Sequence, residues 1–186
     1  MSRFTKIRRT RTAGVAQGDL YRDIEMIESV EVKGNQLLVT RIRFPVVIVL
    51  TQDCDLEQDY GVRWSTKSRP NQDKMLFSVL VSPLYNKEHF ILGEHLENLG
   101  RDMERISTKK KLPHIVSNQI PRFHHLSFSD SVPIVDSVID FKHYFSVNVA
   151  DLKGKKKTHF IGKVAELYRE DISSRFASYL SRIGLP

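Results

Sequence analysis

Residues 24–50 read IEMIESVEVKGNQLLVTRIRFPVVIVL, and this stretch decides the fold. From Ile24 to Val32 apolar residues partly alternate with polar ones, the period of a strand with one buried face. Lys33-Gly34-Asn35 is a turn signal and Gln36 to Phe44 alternates again, so the pair predicts a β-hairpin. Pro45 interrupts. Val46-Val47-Ile48-Val49-Leu50 then runs continuous and β-branched between polar neighbours, the mark of a strand buried on both faces.

Beyond this stretch, residues 52–73 are polar and contain Gly61, Pro70 and Asn71, which predicts a long loop. Met75 to Val81 reads as a second buried strand. His89 to Ile106 reads as a middle helix with Phe90, Ile91, Leu96, Leu99 and Met103 on one side, although Gly93 and Gly100 oppose helix formation. Lys109-Lys110-Lys111 reads as a solvated turn. Short strands are expected around 114–117, 122–128 and 132–139, and Lys142 to Val149 alternates. Asp151 to Lys157, with Gly154, reads as a basic turn, and His159 to Leu167 as the last strand. At the C-terminus Ile172, Phe176, Leu180 and Ile183 recur at helical spacing. Glu170 and Asp171 fit the first turn of this helix and Arg182 the last, with Gly184 as its cap and Pro186 beyond it. Strands outnumber helices and do not alternate with them. The expected class is therefore β-rich α+β: a small antiparallel barrel or curled sheet with a middle helix and a C-terminal amphipathic helix packed on it.

The 186 residues fit one domain, and 40% hydrophobic with 27% charged residues is a globular composition. Cys54 is the only cysteine, so an intrachain disulfide and a multi-cysteine zinc site are excluded. No apolar run approaches the ~20 residues of a membrane span, and Met1 to Thr12 lacks the apolar stretch of a secretory signal, so a cytoplasmic setting without membrane contact is expected. The net charge is +7, which favours polyanionic partners. Residues 1–17 form a basic arm, expected to be a mobile tail, and residues 18–186 the folded domain.

Four segments, in order, resemble the PemK/MazF-like toxins. Gln17-Gly18-Asp19-Leu20-Tyr21 is similar to the Gly-Asp opening of their first strand, and Phe44-Pro45-Val46-Val47-Ile48-Val49-Leu50 to their Arg-Pro-Val-Val-Val strand. Leu76 to Pro83 resembles their third strand and the proline after it. Gly162-Lys163-Val164 before a helix resembles their closing Gly-Lys-Val. The segment 86–130 is an insertion without counterpart. The resemblance implies an SH3-like small barrel, often a homodimer, and metal-independent RNA cleavage without any cofactor, or a relative that has lost it. A basic residue would polarise the phosphate while a hydroxyl or base assists the ribose 2′-OH. In this chain the arginine stands one residue early, at Arg43, and Tyr85 stands where the family favours Thr or Ser.

These readings give a candidate catalytic set of Arg43 for the phosphate, His124 or His125 as base, and Ser82 or Tyr85 as assisting hydroxyl. His124 and His125 are adjacent, so on a strand they point to opposite faces and do not share a metal; either could work with His143. The candidate nucleic-acid surface is Arg8, Arg9, Arg11, Lys155, Lys156, Lys157, Arg175 and Arg182, with RNA favoured over DNA. The alternative function is a non-enzymatic module that docks an acidic protein partner, such as an antitoxin, in a toxin–antitoxin or defence assembly. Asp53, Cys54 and Asp55 offer either metal ligands, together with histidines from elsewhere, or a nucleophile at Cys54; the metal site from Asp53, Asp55 and histidines ranks last.

Overall fold

A computed structural model describes residues 4–66 and 71–182. Met1, Arg3, Pro70, Ile183, Gly184 and Pro186 therefore lie outside the described residues, and with them the expected C-terminal cap.

The chain is a mixed α+β fold with two antiparallel sheets. The larger has six strands in the order β1 (Ile7–Arg8), β9 (Phe160–Val164), β2 (Asp19–Lys33), β3 (Gln36–Val49), β4 (Val79–Pro83), β8 (Phe145–Val147). The smaller has three, β5 (Tyr85–Asn86), β7 (Ser137–Asp140) and β6 (Phe123–Leu126), in that spatial order. The larger sheet is open, with β1 and β8 as its edges, so no closed barrel forms among the described residues.

The hairpin is β2–β3, with Lys33 opposite Gln36 across Gly34-Asn35 and Gly34 at φ +61°. Pro45 does not end the strand as its sequence position suggests. It lies opposite Asp23, between the pairs Arg22–Val46 and Ile24–Phe44, and Asp23 takes a left-handed φ of +54°. A proline has no N–H for the ladder, and a paired irregularity absorbs that loss. It also resets the facing. Tyr21 and Ile24, three residues apart, share one core, as do Phe44 and Val47.

The alternation within 46–50 then puts side chains into two cores. Tyr21, Val47 and Val49 face a layer made by α1 (Asp53–Arg63) and α4 (Val149–His159), with Leu56, Val149 and Leu152 buried against them. Leu20, Ile48 and Leu50 face Ile139, Phe141 and Leu126 of the smaller sheet region and Ile172 and Phe176 of α5 (Glu166–Leu180). A third core, around Phe90, Ile115, Phe123 and Val138, backs the smaller sheet. This three-layer arrangement is what the doubly buried run requires.

Several local expectations are corrected. The loop over 52–73 contains α1, whose buried residues are Leu56 and Asp59; Arg63 grips the Asp59 carboxylate at 2.7 Å one turn on. The strand placed at Met75 pairs only from Val79. The middle helix covers Lys87–Leu92 (α2) and stops at Gly93, φ +78°, where an added Cβ would overlap the Met103 carbonyl. A short 3₁₀ turn, Glu97–Leu99, follows. Residues 114–116 belong to a short helix, α3 (Leu112–Val116), which Ser117 ends, and the basic turn at 151–157 is part of α4, N-capped by the Asn148 side chain. The basic arm is not a free tail. Ile7 and Arg8 pair with Val164 and Lys163, and the Thr5 amide donates to the Ser127 carbonyl at 2.7 Å. No helix of the described residues is long and apolar enough to cross a membrane.

Candidate nucleic-acid interface and histidine clusters

The arm wraps the β1 edge of the larger sheet. At its start it touches the smaller sheet through Thr5 and the α5 region through Phe4, whose carbonyl accepts from the Tyr168 hydroxyl. At its end it reaches α4, where the Lys156 ammonium donates to Thr12 Oγ1 at 2.9 Å and to the Gly14 carbonyl. Two basic segments far apart in sequence thus become neighbours. Arg8, Arg11 and Lys157 are exposed, and Lys155 is half-buried. Arg9 is exposed and its guanidinium donates to the Ser131 carbonyl. Lys156 itself does not belong to the surface: it is buried and ion-paired with Asp19 at 2.8 Å.

Aromatic rings adjoin this basic edge. Tyr60 and Trp64 of α1 lie 5.2 Å apart, centroid to centroid, and Lys153 of α4 holds its ammonium 4.4 Å from the Trp64 ring centre. Gly14 brings the arm against Tyr60, since a Cβ there would stand 2.9 Å from Tyr60 Cδ2. Trp64 remains exposed. The sequence pattern does not reveal this pair, because residues 52–73 have the polar composition of a loop.

Two other members of the expected surface serve the fold. Arg175 donates to the Ile120 and Phe123 carbonyls at 2.9 and 2.8 Å, and burial lowers its pKa. Arg182 is exposed and lies over the Tyr179 ring.

The candidate catalytic residues fall into three separate places. Arg43 is on the exposed face of the hairpin, paired with Glu25 at 3.1 Å, and Arg41 joins the same carboxylate at 3.3 Å. Ser82 and Tyr85 meet at His143: the buried Ser82 hydroxyl donates to its carbonyl at 2.9 Å, and the Tyr85 hydroxyl lies 3.1 Å from its Nδ1. Asp140 stands behind this histidine, 3.8 Å away, and is held by Arg122 through two hydrogen bonds of 2.8 and 2.5 Å. Burial raises the Tyr85 pKa, with Asp140 adding, and burial lowers that of His143.

His124 and His125 occupy the third place, a cleft of about 1230 Å³ between the arm, β6 and the start of α5. The rule that adjacent strand residues diverge holds for their rings, since Leu126 beside His124 and Phe123 beside His125 belong to different cores. Both nevertheless line the cleft, because β6 is the outer strand of its sheet and the cleft curves around it. His124 is 3% exposed, and burial, with Arg175 and His125 adding, pushes its pKa down to about 3. His125 Nε2 is 3.9 Å from Asp136, whose carboxylate is taken up by Lys87, Ser127 and the Phe128 amide. Burial lowers the His125 pKa too.

The metal reading is corrected by Asp53. Its carboxylate is bound by Lys163 at 3.2 Å, by Arg169 and by the Gln17 amide at 2.6 Å, which ties the arm's end to α1 and α5. Cys54 is exposed beside Gln52 and Asp55. Among the described residues no group of three or more His, Cys, Asp or Glu is arranged to hold a metal ion. A scan against models of known protein families gave no match, and neither did a search of curated proteins.

Proposed function

We propose that this protein binds RNA along the basic edge formed by the arm and α4, as a relative of the PemK/MazF-like proteins in a cytoplasmic setting. The observation that carries the reading is the junction at Lys156, which fastens the end of the arm that bears Arg8, Arg9 and Arg11 to the helix that bears Lys155 and Lys157, beside Trp64 and Tyr60. Cationic grooves with exposed aromatic rings are the usual means of holding single strands, because every base has a stacking face. The kinship with SH3-like barrels is supported by strand order. Counted from β2, five strands run fifth-first-second-third-fourth, a meander whose last strand returns beside the first. Residues 85–140, the smaller sheet included, are inserted between the third and fourth. Binding rather than cleavage is proposed, because Arg43, Tyr85 and His124 lie in three different places.

The test is a salt titration of a ~20-nucleotide RNA, read by anisotropy and by quenching of Trp64, the only tryptophan. Replacing Arg11, Lys155 and Lys157 by Ala should lower the slope of log K against log salt by about 2, at ~0.7 per single-strand phosphate. No binding at ~50 mM salt would reject the reading. Incubation of labelled RNA with and without chelator checks for cleavage.

A second reading, the protein-contact module, is favoured by the far end of the hairpin. Past Asp23 and Pro45 the two strands pair only with each other among the described residues. A two-stranded ribbon is marginal alone in water. One of its faces carries Ile27, Val30, Val32, Leu37 and Val39, from 37% exposed at Val39 to 73% at Val32. Light scattering of the protein before and after Val30→Lys with Leu37→Lys reports whether that face joins two copies, the homodimer that the family resemblance implies, or is left for a different protein partner.

A further inference from the structure

The cleft at the start of the arm is unused by a backbone-tracking surface, yet it is built of groups that lack partners. His124 Nδ1 and His125 Nε2 are both buried without a hydrogen bond. Such orphan nitrogens are costly unless something completes them. The first turn of α5, a helix of 15 residues, opens on the same cleft, and its N-cap, Ala165, supplies no side-chain hydrogen bond. The Ala165 amide donates to the Lys6 carbonyl and the Tyr168 and Arg169 amides to the Ala165 carbonyl, which leaves the amides of Glu166 and Leu167, two residues that line the cleft, at the positive end of the helix dipole. Lys6 and Arg8, the second also a member of the proposed RNA surface, line the cleft too.

The charges of the lining select among ligands. Lys6, Arg8 and Lys87 are opposed by Asp136, Glu166, Glu170 and Asp171, and Lys87 is already bound to Asp136. A bare dianion gains from Lys6, Arg8 and the helix amides and loses to Glu166, Glu170 and Asp171. The ligand must bring negative charge to one side and hydrogen-bond donors to the other. Ribose hydroxyls and exocyclic amino groups are such donors, and carboxylates accept from both.

We propose that this cleft binds a nucleoside monophosphate unit, its phosphate held by Lys6, Arg8 and the first turn of α5, its sugar and base by Asp171, His124 and His125. The unit is either a free nucleotide or the 5′-phosphorylated end of an RNA lying on the arm, and the second source rests on the RNA-binding reading. Bases with an amino group are preferred to uracil. At about 1230 Å³ the cleft exceeds the ~300–1,000 Å³ that encloses a small ligand, which leaves room for the next nucleotide of a strand.

The experiment titrates the full chain with AMP, UMP, inorganic phosphate, and a ~10-nucleotide oligoadenylate with and without its 5′-phosphate. Imidazole ¹⁵N resonances and calorimetry are the readouts. AMP should shift the His124 and His125 resonances and bind at least ~10-fold tighter than UMP or phosphate. His125→Gln and Asp171→Asn should each weaken AMP about 10-fold with the thermal melt unchanged. Lys155→Ala with Lys157→Ala, at residues that do not line the cleft, should leave AMP binding untouched. If the strand end is the natural occupant, the 5′-phosphate strengthens oligoadenylate binding about 10-fold and His125→Gln removes that gain; if a free nucleotide is, AMP binds and the 5′-phosphate adds nothing. Absence of AMP-induced shifts, or AMP binding indifferent to both cleft variants, overturns the site. Oligoadenylate that binds regardless of its 5′-phosphate while AMP fails leaves RNA binding standing and rejects the cleft alone. AMP that binds while no RNA does rejects the RNA reading and keeps the site.

Discussion

Lys156 and Asp19 face each other across 2.8 Å with both side chains almost wholly removed from water. The Lys156 ammonium is fully used: Asp19, Thr12 and the Gly14 carbonyl take its three protons. Asp19 also accepts from the Ala16 amide at 3.0 Å, and burial raises its pKa against the pull of Lys156. The lysine that sequence places in the middle of a basic run is therefore the pin that fastens the arm's end and α4 to β2.

Removing one partner of such a pair leaves the other charged and buried. Lys156→Met is expected to cost about 3–5 kcal/mol, whereas Lys157→Ala, on the exposed side of the same helix, should stay within about 0.5 kcal/mol of the parent. Adding Asp19→Asn to Lys156→Met should recover a large part of the loss. Urea unfolding of the four proteins decides it, and equal midpoints for Lys156→Met and Lys157→Ala would show that the pair is immaterial.

Acid should unfold the protein through its buried imidazoles. His124 falls from the ordinary 6.5 to about 3 and His95 to about 4, in each case through burial first. A base whose folded pKa is depressed binds its proton in the unfolded state first. The stability it contributes is present above pH 6.5 and is lost as pH falls toward 3. For His124 the slope approaches about 1.4 kcal/mol per pH unit within that window. Melting temperature measured from pH 7 to pH 4 should fall steeply, and His124→Phe should flatten the fall. A parallel decline in both proteins would place the acid sensitivity elsewhere.

Phe176 packs in the core under α5, with ring centroids 5.5 Å from Phe141 and 5.4 Å from Tyr144. Phe176→Asp buries a charge among aromatic rings at a cost of several kcal/mol. Tyr179→Asp, at a half-buried position one turn away, should cost less. Thermal melts that fail to separate the two variants would mean that the helix is not anchored by this ring.

Legibility in the sequence followed the source of each element's stability. The hairpin, the run 46–50, the middle of the last strand and the Ile172 and Phe176 positions of α5 carry their own periodicity and are readable; the helix starts earlier than its pattern suggests, at Glu166, so Leu167 is not part of the strand, Glu170 and Asp171 stand beyond the first turn, and Leu180 is exposed. Helices α1 and α4 do not. The first buries Leu56 and a charged residue, Asp59, satisfied by Arg63 and the Leu76 amide; the second buries Lys156, whose counter-ion is 137 residues away in sequence. Polar burial of this kind imitates a loop or a basic turn until the partner is in place. The candidate site divided in the same way. Arg8 and Arg11 are exposed as their composition suggests, but the ring pair Tyr60–Trp64 needed the helix that hid it. Ser82 and Tyr85 are drawn together by His143, which only the pairing of β4 with β8 and of β5 with β7 brings near.

The attachment of the arm hinges on one missing side chain. Gly162 of β9 lies directly under β1, where a Cβ would overlap Ile7 Cγ2 and stand 3.2 Å from the Arg8 carbonyl. Gly162 has no positive φ, so alanine suits its own backbone and the strain falls on the neighbouring strand. Relieving the clash means moving β1 off its two paired residues and off the bonds beside them, from the Ala165 amide to the Lys6 carbonyl and from the Thr5 amide to the Ser127 carbonyl. Gly162→Ala should therefore release β1 while Leu20, Ile48 and Phe176 keep the core intact. Amide exchange at Ile7 and Arg8 should become fast, and protease should cut within residues 5–12, with the global melt lowered only slightly. Since Lys6, Arg8 and Arg9 leave the edge with β1, RNA affinity should drop to that of a chain lacking residues 1–9, and both should show the same reduced salt slope. A variant that stays protected at Ile7 yet loses RNA would mean that affinity depends on something other than the placement of the arm.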